Sequence, residues 1–234
     1  MNPTKLAVLP VYLQISEVLI REIAAGHLVD GQRLPPEKQL AKQYQITVST
    51  LRKALLELEK KGLLIRVHGS GNYIKACAQI DSVYSMFRLE LHHGGGLPSA
   101  DVIDIEEVEK PRGMVKFGTS HSATRIRRLR FLDKLPVAIE EIWLDRDAGQ
   151  VDKDKISESL YRYYKMYLGF WIDQVEDRVS IAEVPTWALA ELGKKPTEMV
   201  GFVERFGTAG DLGTIEYSRT WFNTDRAFYV QRLQ

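Results

Sequence analysis

Cysteine is almost absent from this chain of 234 residues, because Cys77 is the only one. A single thiol cannot form a disulfide within the chain, so a disulfide-stapled secreted domain is excluded and a reducing compartment is expected. No apolar run approaches the roughly 18 residues of a membrane-spanning helix. The N-terminus MNPTKLAVLP also lacks the apolar core and cleavage site of a signal peptide. We therefore expect a cytoplasmic protein with no membrane partner.

Low-complexity segments and internal repeats are also missing. With 44% hydrophobic and 27% charged residues, the chain has the composition of a globular protein that buries a core, and disorder is not indicated. Its length allows one large domain or two modest ones.

Charge of one sign is not in excess, since the net charge is only +1, but the two parts of the chain differ. Residues 1–76 contain 11 Lys and Arg against 6 Asp and Glu, whereas the remainder contains 21 against 25. This charge asymmetry indicates that only the first part of the chain binds a polyanion.

Three helices are predicted in the first 62 residues. The first begins after Pro10 and ends near Gly26, with apolar residues spaced three and four apart. The second follows Pro35 and Pro36, and the third begins at the N-cap Thr47 and stops at Gly62. Two short helices with so tight a connection are typical of a helix-turn-helix.

A β-hairpin follows the third helix. The segments "LLIRV" and "NYIKA" predict two strands joined by His68-Gly69-Ser70-Gly71. We therefore predict a winged helix-turn-helix domain over residues 1–76. In such a domain the start of the second of the two helices enters the major groove of DNA. The candidate DNA contacts are Lys38, Thr47, Ser49, Thr50, Arg52, Lys53, His68 and Gly69. The alternative is that the cations form an ordinary solvated helix face and the glycines a tight turn.

Residues 77–84 are irregular and are predicted to be a linker. Beyond it, residues 85–234 predict an α+β domain on a mainly antiparallel sheet. Two strands flank the turn at Asp133 and Lys134, and Pro185 opens a short helix through Leu192. A longer helix is predicted over residues 154–167, and further strands over 170–184, 199–206, 214–222 and 227–233.

The first domain resembles the N-terminal domain of GntR-family transcription regulators. The segments "VYLQISEVLIREIAAGHL", "GQRLPPEKQLAKQYQIT", "STLRKALLELEKKGLL" and "VHGSGNYI" carry this resemblance, in order, across residues 9–75. It implies binding to an inverted-repeat operator in double-stranded DNA by a homodimer. Lys38, Thr50 and Arg52 match the family pattern, whereas Val48 stands where an arginine is common, which puts the operator sequence in doubt.

The second domain resembles the UTRA effector-binding domain of the HutC-type branch, which is similar in fold to chorismate lyase. "RIRRLRFLDKLPVAIEEIWL", "SESLYRYY" and "GTIEYSRTWFNTDRAFY" carry the resemblance. It implies a small effector, and the candidate binding residues are Arg128, Arg130, Glu140, Ser159, Tyr161, Glu216 and Phe222.

Strand geometry supports an anion site independently. Arg128 and Arg130 lie two residues apart on a strand and share a face, with Glu140 or Glu141 on the paired strand. Paired arginines suit a carboxylate or a phosphate, such as that of a sugar phosphate. The alternative is a cross-strand Arg–Glu salt bridge without a ligand. Phe222 and Asn223 replace a tyrosine and an arginine frequent in the family.

No metal, cofactor or catalytic site is predicted. His92 and His93 are adjacent in "LHHGGGLP", which does not place them on one face for a metal. A chorismate lyase-like enzyme has little support, because no catalytic motif occurs and fold similarity does not carry chemistry. We therefore predict a ligand-responsive dimeric repressor, or alternatively a DNA-binding regulator whose second domain only dimerises.

Overall fold

The structure, a computed structural model, describes residues 9–24, 27–75, 86–156, 159–195 and 197–231. These residues divide into two compact units, one containing residues 9–97 and 229–231 and the other residues 98–228. The predicted linker over residues 77–84 lies outside the described residues, and the predicted domain limits stay a prediction. No helix in the described segments is both long and apolar enough to cross a membrane.

Three helices and a hairpin form the first unit, as the sequence predicts. The helices are α1 (Val11–Ala24), α2 (Glu37–Gln43) and α3 (Val48–Lys60). The predicted stop at Gly26 lies outside the described residues. α3 presents a fully buried apolar stripe to the core, where it packs with Leu19 and Ile20 of α1 and Leu40 of α2. This stripe holds the helix-turn-helix together, and it consists of Leu51, Ala54, Leu55 and Leu58.

The hairpin confirms the predicted wing. Its strands are β1 (Leu64–Val67) and β2 (Gly71–Ile74), antiparallel with Leu64 opposite Ile74 and Val67 opposite Gly71. Gly69 at the tip has φ = +73°, a backbone conformation that glycine adopts without strain. A further short strand of this unit, β3 (Leu89–Leu91), is not predicted by the sequence pattern.

The second unit is built on a six-stranded antiparallel sheet in the order β4-β5-β6-β9-β8-β7. The strands are β4 (Pro98–Glu109), β5 (Ser122–Leu132), β6 (Leu135–Asp145), β7 (Gln174–Glu183), β8 (Met199–Thr208) and β9 (Thr214–Phe222). β5 and β6 flank Asp133 and Lys134, as predicted. The last strand is β10 (Ala227–Tyr229).

Apolar cores cover both faces of this sheet. On the face called here the inner face, Ile126 and Ile142 pack with Leu160, Tyr163 and Tyr164 of a short helix. That helix is α4 (Leu160–Tyr163), which continues as a π-helical turn (Tyr164–Leu168). On the outer face, Ile139 and Trp221 pack with residues after Pro185, where the predicted short helix is present as a 3₁₀ turn followed by α5 (Leu189–Leu192).

Three predicted boundaries are wrong. The helix expected over 154–167 begins only at Leu160, because Lys153–Lys155 forms a 3₁₀ turn and Ile156 is extended. The strand expected over 170–184 begins at Gln174, and the one expected over 227–233 ends at Tyr229.

Candidate DNA-binding surface and effector site

The start of α3 is fixed by Thr47. Its side-chain oxygen accepts a hydrogen bond from the Thr50 backbone N–H at 3.1 Å, and the two threonine hydroxyls lie 2.9 Å apart. Thr47 is therefore the N-cap, as predicted, and its hydroxyl supplies one of the acceptors that a helix start needs.

Ser49, Arg52 and Lys53 lie on the exposed side of α3. Val48 is half-buried against the core, because the first turn of α3 packs on the other helices. A residue at position 48 thus reaches solvent less freely than those at 49, 52 and 53.

Arg52 connects α3 to both neighbouring elements. Its Nε donates to Glu37 Oε2 of α2 at 2.7 Å, although the arginine side chain remains 64% exposed. Its backbone carbonyl accepts from Arg66 of β1 at 3.3 Å. This contact chain joins α2, α3 and the wing, with Arg52 in the middle. Lys38 is exposed directly after Glu37.

The wing tip projects a polar surface. His68 and Gly69 are exposed, and the Ser70 hydroxyl lies 2.6 Å from the Tyr73 hydroxyl, which fixes the turn. Every DNA-contact candidate except Thr50, which is half-buried, is therefore on the surface of this unit.

The glycine-rich loop is held against the end of α1. A Cβ on Gly94 would lie 2.9 Å from the His27 ring, and one on Gly95 would lie 2.6 Å from Glu22 Oε1. His27 and Glu22 are themselves joined at 2.9 Å. The glycines thus permit close packing of the loop on this helix end.

Arg128, Arg130 and Glu140 form a buried cluster on the inner face of the sheet. Arg128 lies directly opposite Glu140 across β5 and β6 and donates to its Oε2 at 2.6 Å. Arg130 Nε lies 3.7 Å from the other carboxylate oxygen. All three residues are at most 9% exposed. The sequence left Glu140 and Glu141 as alternatives, and the structure brings Glu140 to these arginines.

Glu141 belongs to the outer face. It accepts from Arg127 Nε at 2.8 Å, from Trp143 Nε1 at 3.1 Å, and from Arg219. Arg127 lies over the Trp187 ring. The alternation of a β-strand therefore gives the second carboxylate a separate partner set.

The charge of Glu140 is maintained by its neighbours. Burial alone would raise the pKa of this carboxyl, but the charges of Arg130 and Arg128, with the Arg128 hydrogen bond, lower the pKa below its ordinary value. Glu140 is therefore an anion held between two cations, and a ligand anion would compete with it for both.

Glu216 is the second buried carboxyl of this face, and two tyrosines donate to it. Tyr161 OH lies 2.9 Å from Oε1 and Tyr164 OH 2.7 Å from Oε2. Burial raises the pKa of Glu216, and it raises the pKa values of both tyrosines well above normal. Ser159 is also buried. Its hydroxyl accepts a hydrogen bond from the Arg162 backbone N–H and caps α4, which is a structural role.

Arg205 and Asp177 are members of this cluster that the sequence did not reveal. Arg205 of β8 donates to both oxygens of Asp177 of β7 at 2.6 Å. Its positive charge acts on the pKa values of Glu140, Glu216 and Tyr161. The alternation of residues along β8 could have placed Arg205 on the inner face. No sequence motif, however, links Arg205 to Asp177, which lies 28 residues earlier.

Phe222 is buried on the inner face beside Gly201. A Cβ at Gly201 would overlap the Phe222 ring, so the missing side chain makes room for this phenylalanine. Asn223 does not offer its amide oxygen to the cluster, since Oδ1 accepts from the Asp225 N–H and closes the following turn.

Two family models match the chain. "Bacterial regulatory proteins, gntR family" matches residues 11–74, and "UTRA domain" matches residues 93–227. The first covers the helix-turn-helix and wing, and the second covers the inner-face cluster.

Curated relatives match over nearly the full length. The chain is 48% identical over 227 residues to the HTH-type transcriptional regulator SmoD of Agrobacterium fabrum, covering 97% of each protein. It is 25% identical to the HTH-type transcriptional repressor NagR of Bacillus subtilis, covering 100% of this chain and 98% of the relative. It is also 25% identical to the mannosyl-D-glycerate transport/metabolism system repressor MngR of Escherichia coli, covering 92% of each.

Solved structures share the fold. The possible transcriptional regulator YydK from Bacillus subtilis aligns with a TM-score of 0.53 at 18% identity, covering 97% of this chain and 100% of that one. The ligand-binding domain of a GntR-family regulator from Bordetella bronchiseptica aligns with a TM-score of 0.56 at 17% identity, covering 63% of this chain and 96% of that domain.

Proposed function

Because the chain belongs to the GntR family of transcriptional regulators, with the HutC-type pairing of a winged helix-turn-helix and a UTRA domain, we propose that it is a dimeric repressor released from its operator by a small anionic metabolite. Members of this family are DNA-binding regulators and not enzymes. The protein acts in the cytoplasm, and each winged helix reads one half of an inverted repeat.

The inner-face cluster is the observation that carries the effector proposal. Two arginines share one carboxylate there, and burial strengthens any electrostatic interaction with a ligand. A sugar phosphate or carboxylate supplies the anion for Arg128 and Arg130, and Glu216 with its tyrosines supplies hydrogen-bonding groups for hydroxyls. The Escherichia coli relative is named as the repressor of a mannosyl-D-glycerate transport/metabolism system, and mannosyl-D-glycerate is a sugar derivative that carries a carboxylate.

Release requires that the effector binds the low-affinity arrangement of the dimer better than the DNA-bound one. A coupling of roughly 1–3 kcal/mol corresponds to about 5–150-fold in operator affinity.

The operator assay uses a labelled fragment from upstream of the gene for this chain, with an unrelated fragment as control. Binding that is stronger to the upstream fragment than to the control, and that weakens as salt rises, supports a regulator that binds DNA next to its own gene.

Arg128→Ala tests the effector site. We expect operator binding near that of the wild type and no release by sugar phosphates or carboxylates that release the wild type. Arg127→Ala is the matched control, since Arg127 is adjacent but pairs with Glu141 on the outer face. If Arg128→Ala unfolds the domain while Arg127→Ala does not, the Arg128–Glu140 pair is structural and the effector proposal is wrong at this residue.

A second candidate is a regulator whose C-terminal domain only dimerises. It is favoured by the hydrogen bond from Arg128 to Glu140, which engages this arginine within the protein itself. A thermal-shift screen separates the two, because an effector raises the unfolding temperature by mass action and a purely structural domain gives no shift with any metabolite.

A further inference from the structure

The ion pair between Arg52 and Glu37 joins the two helices of the helix-turn-helix. Arg52 Nε of α3 donates to Glu37 Oε2 of α2 at 2.7 Å, a distance typical of a hydrogen bond between charged groups. The Glu37 side chain is 24% exposed, whereas that of Arg52 is 64% exposed. The guanidinium group is therefore held on its Nε side and open to solvent on the other.

The wing fixes the backbone of the same arginine. Arg66 Nη2 of β1 donates to the Arg52 carbonyl oxygen at 3.3 Å, and Arg66 Nε lies 3.1 Å from Glu59 Oε2 of α3. Arg52 is thus held at its backbone and at its side chain before DNA binds. A side chain that is already ordered loses less conformational freedom on binding.

The donors left on Arg52 are those at the end of its side chain. A guanidinium group has one N–H on Nε and two on each terminal nitrogen. Glu37 occupies the Nε donor, which leaves two parallel N–H groups, one from each terminal nitrogen. Two such donors match O6 and N7 of guanine in the major groove, and they match two phosphate oxygens as well.

Charge distinguishes these two targets. A phosphate bound at the end of Arg52 would lie close to the Glu37 carboxylate, and like charges placed side by side disfavour binding. The edge of a guanine carries no net charge and meets no such repulsion. Lys53, the next residue, is exposed, and the ion pairs of α3 in the described part of the chain do not include it. It is the cation better suited to a phosphate.

We propose that Glu37 is a positioning residue, which holds Arg52 so that its terminal donors read one guanine in each half of the operator. This inference rests on the proposed function as a DNA-binding repressor and names a base that its recognition helix reads. It assigns Arg52 to base recognition and Lys53 to the DNA backbone.

Selection from a random-sequence duplex library by the full-length protein tests the role of Glu37. The wild type is expected to select one guanine per half-site that Glu37→Ala no longer requires. Affinity of the variant for the sequence selected by the wild type should fall about tenfold, as for the loss of one bidentate base contact. Its affinity for unrelated DNA should not fall, because a negative charge near the phosphates has been removed.

Two further variants separate positioning from charge. Glu37→Gln removes the charge but keeps an oxygen that accepts from Arg52, so it should still select the guanine. Equal loss of selection in Glu37→Gln and Glu37→Ala would show a charge effect and overturn the positioning role. Glu57→Ala is the matched control, because Glu57 of α3 is 23% exposed and pairs with Lys60. Exposed ion pairs add little stability, so all three variants should unfold near the wild-type temperature.

Replacement of guanine by 7-deazaguanine, which lacks the N7 acceptor, tests the base contact itself. Fluorescence anisotropy with the selected duplex should show a smaller loss of affinity for Arg52→Ala and Glu37→Ala than for the wild type. Lys53→Ala should lose as much as the wild type. An undiminished loss for Arg52→Ala would assign Arg52 to a phosphate and overturn the inference alone. If the wild type selects no sequence, the proposed DNA-binding function is wrong as well.

Discussion

Glu140 and Glu141 are neighbours in the chain, yet their carboxylates serve different faces of the same sheet. Glu140 holds Arg128 and Arg130 on the inner face, and Glu141 holds Arg127 and Arg219 on the outer face. A buried ion pair is costly to break, because removing one partner leaves an uncompensated charge. A substitution of either glutamate is therefore expected to disrupt the ion pairs of one face of the sheet and leave those of the other face intact.

Glu140→Gln is expected to make stability less dependent on acid pH. The pKa of Glu140 is lowered from its ordinary value of 4.5, so the ionised carboxylate stabilises the folded state above that pH, and this contribution is lost as pH falls through the folded pKa. The variant should be less stable by roughly 3–5 kcal/mol at neutral pH, and the difference should shrink as pH falls through the folded-state pKa of Glu140.

Urea unfolding at several pH values measures this difference. Glu109→Gln, at the exposed end of β4, is the control and should change stability little at any pH. A constant difference between the wild type and Glu140→Gln across the pH range would contradict the ionised pair.

At the scale of elements, regular amphipathic segments were predictable and irregular ones were not. The stripe of α3 follows one period throughout, so the limits of this helix were close to correct. The hairpin of β5 and β6 keeps one register from Ala123 to Arg130, so it was predicted around its turn. β4 was not predicted, because its bulge after Val102 shifts the alternation and acidic residues occupy its outer positions. α4 begins late because Ser159 caps it after a 3₁₀ turn.

The contacts of the candidate site could be predicted where both residues lie in one sequence motif. Arg128 and Glu140 come from one hairpin, so their pairing follows from local register. Arg205 and Asp177 meet through long-range strand pairing between β8 and β7. Pairing of that kind depends on the whole sheet, and one sequence does not specify it.

Thr47→Ala is expected to weaken α3 at its start. The substitution removes the N-cap oxygen that Thr50 N–H uses, which typically costs about 1 kcal/mol. Thr47→Ser keeps the oxygen and should unfold near the wild-type temperature. Thermal unfolding of the two variants measures this, and equal stability of Thr47→Ala and the wild type would contradict the cap.

At the scale of the whole molecule, positive charge is concentrated in the first 76 residues, where the net charge is +5. Operator binding should therefore weaken as salt rises, because phosphate contacts release counterions. The proposed effector site uses buried groups of the other unit, so effector binding there should depend less on salt, which screens buried charges less.

Lys53→Ala is expected to lower the salt slope of operator binding by about 1, as for the loss of one phosphate contact. Lys60→Ala, at the far end of α3 and paired with Glu57, should leave the slope unchanged. Fluorescence anisotropy between roughly 50 and 200 mM salt measures both slopes. A slope for Lys53→Ala equal to that of the wild type would remove Lys53 from the DNA interface.

The space left by Gly201 has a consequence for how this regulator can change over evolutionary time. Because the Phe222 ring occupies the volume of a side chain at position 201, the two positions cannot enlarge independently. A lineage that gains alanine at 201 is expected to have first exchanged the ring at 222 for a smaller residue. The order of these two steps is thus set by sterics, and directed evolution toward a new effector has to follow it.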